Sequence, residues 1–280
     1  MRSGKKKLTM KQSKLVKVKA VRAKSSTLYD QSKVWLRKSL ASPKFDPNHF
    51  KIIYMGDSWA AEGNMTGIAV LNEALNVSRS KKPLLLLHGG DIVFTGTKEQ
   101  LNFFKKKVNK KVPDTPVFVA VGNHESTRTN GNSSLNNYKN IIGPSAIHFA
   151  LRIPFIKIIG LNSVGPTGSG PYGLPPSELA YLKEQLKTKA KNIIITTHVP
   201  PSDWKFGQDE FLKLTKQSNV SLFLFSHIHA YKRFQINGKP AIISGGAGAA
   251  LDKNQINHIV ELSVNSGVIT TKKIPISWQL

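Results

Sequence analysis

Side chains able to hold a cation gather at the ends of short apolar runs. Gly56-Asp57 follows the run 52–55, Gly89-Gly90-Asp91 follows 84–88, and Gly122-Asn123-His124-Glu125 follows 117–121. Further on, His198 follows 193–197, and His227-Ile228-His229 follows 222–225. Two carboxylates, one amide oxygen and three imidazoles make a mixed oxygen and nitrogen set suited to Zn, Mn, Fe or similar ions. The chain has no Cys, so thiolate sites and disulfides are excluded. Glycines beside the candidates let backbone come close to a bound ion. Taken singly, an Asp after a strand is commonly a turn former or a cap, and a single His is commonly structural. His227 and His229, two residues apart at a strand end, should point to the same side. Five such blocks, each at a strand end, argue together for one metal site.

The elements that must position these blocks repeat a short apolar run, a Gly-containing polar turn and a helical stretch, which is the pattern of an α/β fold. Strands are predicted at 52–55, 84–88, 117–121, 156–161, 193–197, 222–225 and 241–244, several apolar throughout as two-sided burial requires. The stripes Ile68/Leu71/Leu75, Leu101/Phe104/Val108 and Leu179/Leu182/Leu186 predict intervening helices whose apolar faces belong to the core. Segments 258–263 and 268–274, separated by Asn265-Ser266-Gly267, predict a terminal hairpin. Ligands in open α/β sheets sit at the carboxyl ends of the strands, where all five blocks fall.

The 280 residues, 40% of them hydrophobic, suffice for one substantial core. The domain reading is a basic tail at 1–24, a lead-in helix within 25–46 with Trp35, Leu36 and Leu40 on one side, and a main domain at 47–280. Residues 1–50 carry 14 Lys/Arg against 2 Asp/Glu, so nearly half of the net charge of +25 lies there. With few large apolar residues, segment 1–24 is expected to be disordered and to attract polyanions or anionic lipid. No apolar stretch approaches the roughly 20 residues of a membrane span. Lysines interrupt the region after the basic start, so no export signal is read and a cytoplasmic location is expected. The oligomeric state is not legible.

In order and spacing, Asp57, the GGD at 89–91, the GNHE at 122–125, His198 and the HIH at 227–229 resemble the calcineurin-like metallophosphoesterases. Within them the chain is similar to the branch related to purple acid phosphatases. Leu161-Asn162-Ser163, the helix at 174–186 and the ISGGAGA turn at 243–249 support that likeness, which spans 47 to about 270. The resemblance implies a four-layer α/β/β/α sandwich of two mixed sheets flanked by helices. It also implies two divalent or trivalent metals (Fe, Mn or Zn) bridged by Asp91. One would take Asp57, Asp91 and His229, the other Asp91, Asn123, His198 and His227. His124 would stand beside the leaving group as a proton or hydrogen-bond donor, so that His124 and Asp91 carry the catalysis. Most of the superfamily has a ligand His two residues after the first Asp; here that residue is Trp59, a donor-only indole. Purple acid phosphatases use a Tyr three residues after the bridging Asp; here that position holds Phe94. The Asp57 site is therefore expected to be weak unless Glu62 or His88 compensates.

The function implied is hydrolysis of a phosphomonoester or phosphodiester by metal-activated water. The alternatives are a polyanion- or nucleic-acid-binding protein with a weakened metal site, and a nuclease or cyclic-nucleotide phosphodiesterase. The loops at 125–138 and 165–173 are the places where specificity could reside.

Overall fold

The structure, a computed structural model, describes residues 26–61, 63–129 and 131–279. The segment read above as a basic tail and Glu62 lie outside the described residues. The chain runs α1 (Leu28–Leu40), β1 (His49–Met55), α2 (Met65–Ser80), β2 (Leu85–His88), α3 (Lys98–Lys111), β3 (Val117–Val119), the small pair β4 (Thr127–Thr129) and β5 (Asn132–Ser134), and α4 (Asn136–Ile141). It continues through β6 (Phe149–Ile153), β7 (Ile156–Gly160), α5 (Pro176–Leu186), β8 (Asn192–Thr196), α6 (Gln208–Lys216) and β9 (Val220–Phe225). Strands β10 (Tyr231–Ile236), β11 (Lys239–Ser244), β12 (His258–Asn265) and β13 (Val268–Pro275) complete it.

Two mixed sheets result. The first has the order β13-β12-β1-β2-β3 and the second β10-β11-β9-β8-β7-β6. In the first, β1, β2 and β3 run parallel while β12 and β13 join antiparallel. In the second, β11, β9, β8 and β7 run parallel and the edges β10 and β6 are antiparallel. Crossover helices α2, α3, α5 and α6 cover the outer faces, as parallel connections require. Strands β2 and β7 are buried along their whole length, and buried side chains of both sheets form one hydrophobic cluster. Between the sheets, the Tyr54 hydroxyl of β1 hydrogen-bonds Ser226 at the end of β9, at 3.0 Å.

The helix read as a lead-in protects an edge. Ser32 of α1 donates from its hydroxyl to the Val117 carbonyl at 2.7 Å and accepts the Val117 N–H at 2.9 Å. Those two groups of β3 would otherwise be free at the sheet margin, where an unpaired strand invites association. Strands β6 and β10, the pair β4/β5, and helices α4 and α6 were not readable as elements. β10 carries Lys232 and Arg233 toward solvent, so it lacks the apolar run that marks its buried neighbours. No helix among the described residues is long and apolar enough to cross a membrane.

Candidate metal centre

The chain beyond β1 and the chain beyond β2 are laced together where the sheet ends. Asp57 N–H donates to Gly90 O (3.0 Å), Trp59 N–H to Asp91 O (3.2 Å) and Ala60 N–H to Ile92 O (3.0 Å). Asp57 and Asp91 both adopt left-handed backbone, with φ of 57° and 54°, a conformation that costs a non-glycine residue about 1–2 kcal/mol. Glu125 helps to hold the second turn there. Its Oε2 accepts N–H bonds from Asp91 (2.8 Å) and Gly122 (2.6 Å), and its Oε1 accepts one from Ile92 (2.8 Å). Gly122 is required by close approach, since a Cβ there would lie 2.2 Å from Asp91 Oδ1.

All six side chains singled out as metal ligands from the sequence converge at this point, in two groups. In the larger, Asn123 Oδ1 lies 3.1 Å from His198 Nε2 and 3.0 Å from His227 Nδ1, and Asp91 Oδ1 lies 3.3 Å from His198 Nε2. Donor atoms of Asp91, His198 and His227 all fall within 4.8 Å of one another. In the smaller group, His229 Nε2 stands 3.7 Å from Asp57 Oδ1. His198 donates from Nδ1 to Gly89 O at 2.9 Å and His229 from Nδ1 to Ala250 O at 2.7 Å, so both turn Nε2 inward. The donors divide by sheet. The oxygens of Asp57, Asp91 and Asn123 follow β1, β2 and β3, while the imidazoles of His198, His227 and His229 follow β8 and β9.

His227 and His229 do not share a strand face as the spacing suggested. Both lie in the bend after β9, and a φ of 71° at His227 lets the two rings serve different groups. The backbone N–H of His227 also donates to Asp57 Oδ2 at 3.0 Å, tying the two sheets at the site.

Charge is unevenly distributed in this buried place. Burial pushes the Asp57 carboxyl well above the usual carboxylate range. Burial acts the same way on Asp91, but the charge and hydrogen bond of His198 outweigh it and hold that carboxyl at about 2. Burial lowers His198, yet Asp91 more than compensates and raises the imidazole to about 9. Burial, with the His198 charge beside it, lowers His227 to about 4, and burial also lowers His229. Asp57 Oδ1 is buried with no hydrogen-bond partner among the described residues. An orphaned carboxylate oxygen, together with the Asn123 and Asp91 oxygens that converge on His198 Nε2, calls for positive charge at this spot, and the donor set fits a metal ion.

His124 borders the larger group. Its N–H donates to Asp91 Oδ1 at 2.9 Å, its Nδ1 donates to Phe94 O at 2.6 Å, and its Nε2 lies 3.9 Å from Asp91 Oδ2. The ring is 28% exposed, so it can be reached from outside. Trp59 touches a ring of each neighbourhood, tilted 46° to His124 at a centroid distance of 4.8 Å and edge to face, at 88°, to His229 at 4.9 Å. His88 takes no part: Nε2 meets Ser58 Oγ at 3.2 Å and Nδ1 accepts Gly90 N–H at 3.2 Å. The sequence assigns no role to Glu125; its place as the last letter of the GNHE block is the signal there.

Comparison with known proteins adds three relations. The family profile described as calcineurin-like phosphoesterase matches residues 50–231. "Probable glycerophosphodiester phosphodiesterase GpdQ" of Arcobacter nitrofigilis is 32% identical over 135 residues, which is 48% of this chain and 48% of that relative. The match thus spans about half the length of this curated relative. Purple acid phosphatase PPD1 from yellow lupin (Lupinus luteus) seeds shares the fold with a TM-score of 0.63 at 13% identity, over 80% of this chain and 51% of that one. GAP50, the anchor in the inner membrane complex of Plasmodium, does so with a TM-score of 0.51 at 16% identity, over 82% and 89%.

Proposed function

This chain belongs to the calcineurin-like phosphoesterase family, and on that premise we propose that it hydrolyses phosphate esters at the cluster just described. The observation that carries the reading is the Asp91–Asn123–His198–His227 donor group with His124 against the same Asp91. Asp57 and His229, and Asp91, Asn123, His198 and His227, would hold cations of the Fe, Mn or Zn type, which would supply charge to the phosphoryl oxygens and make bound water acidic.

The remaining work falls to the chain. Asp91 stays ionised and presents Oδ1 toward His198 and Oδ2 toward His124. With Nδ1–H committed to Phe94 O, His124 leaves Nε2 for the departing oxygen, and in the imidazolium form that nitrogen carries the proton or hydrogen bond it gives. His198 and His229 are fixed in orientation by the carbonyls of Gly89 and Ala250. Asp57 and His229 make the smaller and weaker group, because Trp59 stands at the position of a further imidazole. The positive charge of the chain favours capture of anionic substrates. A polyanion or anionic-membrane contact through segment 1–24 belongs to the same proposal.

The test is metal analysis of the purified protein, followed by hydrolysis of 4-nitrophenyl phosphate and bis(4-nitrophenyl) phosphate after chelation and after return of Mn, Zn or Fe. Hydrolysis should require added metal and should collapse in Asp91→Asn. A metal-free sample hydrolysing either ester at full rate would overturn the reading.

A further inference from the structure

A recess of about 740 Å³ opens beside Trp59. That volume lies within the range of small-molecule sites. Its walls include Trp59, Ala61, Phe94, Ala249 and Leu251, with Asn64 and Gln100 among the polar contributors. None of the described lining residues is charged, although one residue in five of the chain is.

The recess is continuous with the candidate reaction site through three shared groups. The Trp59 ring packs on His124, His229 and Phe94, at centroid distances of 4.8, 4.9 and 5.1 Å. Phe94 lines the recess and its carbonyl accepts from His124; Ala250 lines it and its carbonyl accepts from His229. The recess therefore adjoins the candidate reaction site through Trp59, Phe94 and Ala250, the residues that touch or orient His124 and His229. Its walls are also held in place. Asn64 donates from Nδ2 to Trp59 O and accepts Gly67 N–H through Oδ1, both at 3.0 Å. Ala249 N–H donates to Asp57 O at 2.7 Å.

We propose that this recess is the leaving-group subsite, and that the preferred substrates are phosphate esters of alcohols bearing an uncharged flat ring. The inference rests on the proposed hydrolysis and adds its substrate class. Trp59 and Phe94 lie edge to face at 74°, offering a ring two aromatic surfaces. The described walls offer a charged leaving group no counter-charge.

The test compares ethyl, 2-phenylethyl and 2-(2-naphthyl)ethyl phosphates, in each of which the ester oxygen is carried by a CH2 group, in metal-loaded protein. The naphthyl ester should exceed the ethyl ester in kcat/KM by about tenfold or more, the scale of one buried ring. In Phe94→Ala and in Leu251→Asp, both changes at positions reached by solvent, that ratio should fall to about threefold or less. Binding is read separately by titrating free 2-(2-naphthyl)ethanol against the indole N–H resonance that is missing from Trp59→Phe. A shift of that resonance without hydrolysis of any ester would sustain the subsite and overturn the proposed reaction. Equal hydrolysis of all three esters with no shift would overturn the subsite and leave the reaction standing.

Discussion

Glu125 grips the turn that carries Asp91: one carboxylate oxygen takes the N–H of Asp91 itself at 2.8 Å, and the other takes that of Ile92 at 2.8 Å. Burial and the charge of Asp91 push the Glu125 carboxyl up to about 8, against the pull of the N–H donors. Glu125→Gln keeps the shape but turns an NH2 group toward an N–H. It should destabilise the protein by roughly 1–3 kcal/mol, the cost of a buried group left unsatisfied, and should weaken metal retention. Urea midpoints and metal content check this; no change in either would mean that the turn holds itself.

His124→Ala should lower kcat by about 10²- to 10⁴-fold with metal content unchanged, as expected of a proton donor that is not a ligand. Steady-state kinetics and metal analysis on the same preparation decide the matter. Loss of metal together with rate would reassign the residue to the metal shell.

Trp59 adopts φ of 44° and stands 4.9 Å, ring to ring, from His229. Trp59→His places an imidazole two residues after Asp57 in a backbone conformation that histidine tolerates better than most side chains. Metal affinity should rise by about tenfold or more at one of the two groups only. Calorimetric titration resolves this, and equal affinities at both groups in the unmodified protein would show that nothing was missing there.

Away from the site, His258 donates from Nδ1 to Ile256 O at 2.8 Å, while its buried Nε2 has no partner among the described residues. Burial lowers its pKa from the ordinary 6.5. The unfolded chain therefore takes up the proton first, so this residue's contribution is present above about pH 6.5 and is lost as pH falls through the depressed folded value. Urea stability measured at pH 7 and pH 5 should fall more in the unmodified protein than in His258→Phe. An equal fall in both would place the acid sensitivity elsewhere.

The strand ends were legible because two-sided burial leaves an unmistakable mark, as in Leu85, Leu86 and Leu87, all buried, followed by His88 and then Gly-Gly-Asp. The candidate ligands came with them, since each lies within a few residues of the end of such a run. Strand β10 was hidden by its solvent-facing Lys232 and Arg233. The clamp by Glu125 was hidden for another reason, because it joins loops 34 residues apart that only the fold brings together. The same holds for the recess beside Trp59, whose walls come from three separated stretches of chain. Trp59 was readable as a lost ligand, but its place in the wall of that recess was not.

The division of donors, oxygens from one sheet and imidazoles from the other, makes the centre a fastener between the two halves of the fold. A cation held there binds the folded chain and has no equivalent partner in the unfolded one, so its free concentration sets part of the conformational stability. At one hundred times the dissociation constant that part is about 2.7 kcal/mol. Melting temperature should thus follow the supply of metal even in His124→Ala, where turnover is nearly gone. In a cell short of metal, the protein would first become easier to unfold and degrade, and the fall in its abundance would add to the loss of activity.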